Sequence, residues 1–242
     1  MSHRNVLFTA IALATLVAAT ANAETLTENQ DGTAPKLQLK PNAKSRLLTH
    51  ALALPAYFFW MSTEHEGSHA LMAEITGVGV KAFKPYPHTA DINGERKFVF
   101  GAVDYARAPT HRQNELVTFA PSITDLTVFT ATDLTLSYAV SPDSALAPVL
   151  LIAGMICPWA DAFTNYNGWT KTNDISLMAQ MTGTPRWAWQ VTGDAFLAVG
   201  AWRILHHAHE MLFETPSVKN RSNVAFMPMV NGSLGVTAVG RF

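Results

Sequence analysis

The chain reads as mainly α: a four-span transmembrane helical bundle with a small β-ribbon and a C-terminal β-hairpin. Three observations predict that class. Hydrophobic residues make up 48% of the 242 residues and charged residues only 14%. Four apolar runs come close to the ~20 residues that cross a bilayer as a helix. Gly, Pro and Asn separate short alternating stretches between and after those runs. The mean hydropathy of +0.10 suits apolar spans mixed with polar loops.

The elements follow in order. His3 and Arg4, the apolar run Val6–Ala19 and the Ala21-Asn22-Ala23 site have the layout of an export signal, so residues 1–23 are expected to be a signal peptide. Residues 24–46 form a polar lead segment. Leu47–Thr63 is apolar and uncharged apart from His50, and it runs without a strong stop into Ile75, where Gly77-Val78-Gly79 ends it. One long helix is expected there. Lys84-Pro85-Tyr86-Pro87-His88 is extended, Asp91-Ile92-Asn93-Gly94 is a turn, and Lys97–Val103 is a strand, which together make the ribbon. Leu116–Val140, Ala145–Phe163 and Trp187–Leu205 are the remaining spans. Lys and Arg cluster between the first and second runs and again between the third and fourth, which places those loops on one face. Within residues 220–242, Val224–Val230, Asn231-Gly232 and Leu234–Phe242 read as a hairpin with an Asn-Gly turn.

Composition excludes some functions. The net charge of −1 offers no electrostatic basis for nucleic-acid binding. Cys157 is the single cysteine, so there is neither an intrachain disulfide nor a cysteine-rich metal site. A metal in this chain must be held by His, Asp or Glu.

The pentad His65-Glu66-Gly67-Ser68-His69 supplies such ligands. Residues four apart share a helix face, so His65 and His69 can grip one ion. Glu66 sits about 100° round the helix, where it can act as a base on water. That is the zinc hydrolase arrangement. Catalytic zinc usually has three protein ligands and an open position. Asp161, Asp174 and Asp194 all lie near the expected shared face. Asp174 is also placed to cap a helix starting at Ile175. Glu74 is about 140° away from His69 and cannot join.

His65-Glu66-Gly67-Ser68-His69-Ala70, with Ala73, Thr76-Gly77 and Val80, resembles the active-site helix of site-2-type intramembrane zinc metalloproteases and their short bacterial relatives. Asn173-Asp174-Ile175-Ser176-Leu177-Met178-Ala179-Gln180-Met181-Thr182-Gly183-Thr184-Pro185 is similar to a later segment of those relatives. The resemblance implies that His65, His69 and Asp174 bind zinc and that Glu66 is the catalytic base. It makes residues 47–210 a helical membrane metallopeptidase-like domain. The expected function is zinc-dependent peptide-bond hydrolysis at or within the membrane. The expected partners are membrane lipid and a polypeptide substrate, and the expected place is a bacterial cell envelope, at the inner membrane. The alternative is a non-catalytic metal-binding or partner-binding protein of the envelope.

Overall fold

The computed structural model describes residues 38–92, 94–167, 173–214, 225–228 and 236–239. The expected signal peptide, most of the polar lead segment and the Asn231-Gly232 turn lie outside the described residues. Six helices account for most of the described chain: α1 Ala43–Leu52, α2 Leu54–Ile75, α3 His111–Tyr138, α4 Leu146–Tyr166, α5 Asp174–Thr182 and α6 Arg186–Leu212. Six short strands are β1 Val80–Lys84, β2 His88–Ile92, β3 Glu95–Val99, β4 Ala102–Tyr105, β5 Ala225–Pro228 and β6 Val236–Val239. They pair antiparallel as β1 with β4, β2 with β3 and β5 with β6.

The four-span reading is corrected here. Among the described residues one helix, α4, is long and apolar enough to cross a membrane, and half of its apolar window is buried inside the fold. A core helix has that character. The other runs fail for a physical reason. α2 carries Glu64, His65, Glu66, His69 and Glu74, α3 carries Asp125 and Asp133, and α6 carries Arg186, Asp194 and Arg203. Apolar run length alone does not register how such groups interrupt a span.

The expected long helix from Leu47 is also two helices, α1 and α2, parted at Ala53. Pro55 lies in the first turn of α2. Proline has no N–H to donate backwards and disfavours helical geometry in the residue before it. The strand expected over Lys97–Val103 is divided between β3 and β4 at Phe100-Gly101.

Gly77 and Gly79, both at φ 74°, terminate α2. Left-handed backbone is open to glycine without steric cost. The chain then turns into β1, whose pairing with β4 brings it back towards α3. α3 starts with a capping box: Thr110 accepts from the Gln113 backbone N–H, and the Gln113 side chain accepts from that of Thr110. The Gln113 amide also donates to the Thr76 carbonyl at 2.7 Å. This contact ties the start of α3 to the end of α2.

The main core joins α3, α4 and α6 through Phe129, Leu136, Leu151, Met155, Ile204 and Met211. Small residues bring the helices close. A Cβ on Gly154 would strike Thr132 at 2.2 Å, and one on Gly193 would strike Tyr166 at 2.2 Å. Leu151–Ile156 of α4 is π-helical, which changes the phase of the turns after it. Asp161 follows and faces α2.

Candidate metal centre

His65 and His69 stand one turn apart on α2, and Asp174 opens α5. Their ligand atoms lie within 4.8 Å of one another, close enough to hold one metal ion. Asp174 Oδ2 is 3.4 Å from Nε2 of His65 and 3.4 Å from Nε2 of His69. Those separations exceed an ordinary hydrogen bond. Atoms bound tetrahedrally to one ion at ~2.0–2.1 Å stand about 3.3 Å apart. The two 3.4 Å spacings are therefore compatible with ligands of one ion.

The outward nitrogens are already engaged. His65 Nδ1 lies 2.7 Å from Asp161 Oδ2, and His69 Nδ1 lies 2.7 Å from the Val117 carbonyl oxygen. A carbonyl can only accept, so His69 carries its proton on Nδ1 and keeps Nε2 as the free donor atom. Such outer partners fix the tautomer and the ring plane of a metal-binding histidine. Asp161 is itself held, accepting from the Asn165 amide at 3.3 Å.

Asp174 escapes the capping role because its neighbour takes it. Asn173 Oδ1 accepts from the Ser176 backbone N–H at 2.9 Å, and its amide donates to the Asn165 carbonyl at 2.6 Å. Burial alone would raise the Asp174 carboxyl. The adjacent His65 and His69 outweigh it and hold the group well below the usual carboxylate range. Burial likewise pulls His65 down, yet Asp161 and Asp174 carry it well above its ordinary value in the metal-free protein.

Glu66 lies beside this group in a cleft of about 270 Å³, with His65, Asp161 and Asp174. Burial raises its carboxyl, against the pull of His65 and His69. The ribbon presses on it. A Cβ on Gly101 would meet Glu66 Cγ at 2.4 Å, so only glycine lets this backbone lie over the carboxylate stem. Phe58, Met61, Val99 and Phe100 form the apolar wall of the cleft.

The remaining acids separate cleanly. Asp161 orients His65. Asp194 is exposed on α6 and belongs to no metal-binding group among the described residues. Glu74 accepts from the Val80 backbone N–H at 2.7 Å. Glu64 and Asp125 were not foreseen. Their carboxylate oxygens are buried without a conventional donor, and the two groups face one another beside Asp161. The Val117 carbonyl and Gly101 also escaped the sequence reading. One is backbone and the other matters by the atom it lacks. Comparison with protein-family models, curated proteins and solved structures finds no match.

Proposed function

We propose that this protein is a zinc-dependent peptidase of the bacterial cell envelope. The observation that carries the reading is the meeting of two imidazole Nε2 atoms and Asp174 Oδ2, with Glu66 beside them at an open cleft. Two histidines and one carboxylate are a common ligand set of catalytic zinc. The ion supplies Lewis-acid polarisation of a carbonyl and makes water acidic near neutral pH. Glu66 accepts the proton of the attacking water and returns it to the leaving amine. Its partly desolvated carboxyl is suited to both steps, because burial brings its proton affinity nearer to neutrality. Asp161 and the Val117 carbonyl hold the imidazoles in the orientation that zinc needs.

The substrate is a polypeptide. Phe59, Trp60, Trp187 and Trp202 are exposed apolar residues and support a seat against lipid, since large aromatics favour the membrane interface. The resemblance of the pentad and of the Asp174 segment to site-2-type proteases supports the same reading.

Glu66→Gln tests it. The amide keeps the shape but cannot accept the proton. The variant is expected to keep one zinc per chain and to lose ~10²–10⁴-fold in hydrolysis of an unfolded polypeptide. Full activity in the variant would contradict the proposal.

A further inference from the structure

We infer that Pro121, inside α3, is a positioning residue for the metal centre: it releases the Val117 carbonyl that fixes His69. The inference rests on the metal reading of His65, His69 and Asp174. In an α-helix the carbonyl of residue 117 accepts from the N–H of residue 121. Residue 121 is proline, within a helix that continues from His111 to Tyr138. Proline has no N–H, and its ring presses on the carbonyl four residues back. The Val117 oxygen therefore lacks its normal partner. Both residues are buried, where an unpaired carbonyl is costly.

His69 removes that cost. Its Nδ1–H donates to the Val117 oxygen at 2.7 Å, which leaves Nε2 facing Asp174 at 3.4 Å. A proline that weakens α3 locally thus supplies an acceptor at the place where a ligand needs one. An N–H at position 121 would share this oxygen's two lone pairs with His69, pull it along the helix axis and loosen the ring plane of His69.

α4 repeats the device away from the metal. Its π-helical segment shifts the bonding partner to five residues on. The carbonyl of Ala153 would then require an N–H at position 158, and Pro158 has none. Trp60 Nε1 donates to the Ala153 oxygen at 3.0 Å. In both helices a proline frees a carbonyl, and a side chain of α2 takes it. Only the first reaches a metal-binding residue.

Pro158→Ala is accordingly a matched control for Pro121→Ala, since each removes a buried ring and restores a helical N–H. Zinc affinity is measured by competition with a chromophoric chelator. Exchange of the His69 Nδ1 proton is followed by NMR. Pro121→Ala is expected to weaken zinc binding roughly 10- to 100-fold, the usual effect of losing an outer partner of a metal-binding histidine. It is also expected to speed Nδ1–H exchange. Pro158→Ala is expected to leave His69 Nδ1–H exchange unchanged, because the Ala153 carbonyl accepts from Trp60 rather than from His69. Wild-type zinc affinity in Pro121→Ala, or equal acceleration of His69 Nδ1–H exchange in the two variants, would overturn the inference. If the wild type binds no zinc, the metal reading falls, and proton exchange alone decides: an unchanged His69 Nδ1–H rate in Pro121→Ala then overturns the positioning role.

Discussion

Two partly buried clusters of histidine and carboxylate can be compared among the described residues, and they differ in how their charges are paired. In one, His207 Nε2 lies 2.8 Å from Asp133, and Arg203 Nε donates to the same carboxylate at 2.8 and 3.1 Å. Arg203 also reaches the Ser137 hydroxyl at 2.8 Å. Arg203 and His207 share the Asp133 carboxylate, and the result is a clamp between α3 and α6. In the other, both Nδ1 atoms are satisfied while both Nε2 atoms stand 3.4 Å from Asp174 at the edge of a cleft. The first cluster pairs its charges internally. The second brings together three groups that could hold a metal ion. Residue type does not separate them, because His206-His207-Ala208-His209-Glu210 is as rich in possible ligands as the pentad. The direction of the free nitrogen separates them.

The largest expected effect breaks the clamp. Asp133→Ala removes the acceptor that Arg203 and His207 share and is expected to cost about 3–4 kcal/mol, from two or three charge-assisted hydrogen bonds at ~1.5 kcal/mol each. Zinc binding stays at one per chain. Urea unfolding and metal analysis together check this. Unchanged stability with loss of zinc would reverse the roles assigned to the two clusters.

A second prediction concerns Glu64 and Asp125, behind the metal group. Burial and the charge of Asp161 push Glu64 from 4.5 up to about 7. Burial, with Asp161 and Glu64, pushes Asp125 well above its ordinary value. Between pH 4.5 and about 7 the folded protein therefore keeps a proton on Glu64 that the unfolded chain has released. The folded state is favoured at the acid end, and stability falls as pH rises through that window. The fall from Glu64 amounts to at most about 3 kcal/mol, at 1.36 kcal/mol per pH unit. Chelator-treated protein, unfolded in urea at several pH values, should show this slope, and Glu64→Gln should flatten it. A slope of opposite sign, or one indifferent to Glu64→Gln, would refute the assignment.

The smallest effect sharpens the contrast within the metal centre. Asp161→Asn keeps the shape but weakens the partner of His65 Nδ1. Zinc affinity is expected to fall ~10- to 100-fold, about 1.4–2.7 kcal/mol. Equal affinity in a competition titration would show that Asp161 does not orient His65.

The sequence made part of this legible. The spacing of His65, Glu66 and His69 fixed their relation on α2, because helix periodicity is local. Asp174 was reached through resemblance, and Asn173 resolved its competing role as a cap. Asp161 drew notice as an acid in an apolar run, but its partner, His65, is distant in sequence. The Val117 carbonyl carries no side-chain signal, and Pro121 lies inside the apolar run Leu116–Val140 without pointing to His69. The spans misled because run length measures apolarity along the chain. It does not report that α4 is wrapped by α3 and α6, or that α2 is interrupted by Glu64, His65, Glu66, His69 and Glu74.

The central claim is tested most directly by counting zinc. Each variant is loaded with excess zinc, desalted and analysed for metal. The wild type and His207→Ala are expected to hold one equivalent per chain, and His65→Ala and His69→Ala none. Full retention of zinc in both pentad variants, or its loss in His207→Ala alone, would contradict the assignment of the metal centre.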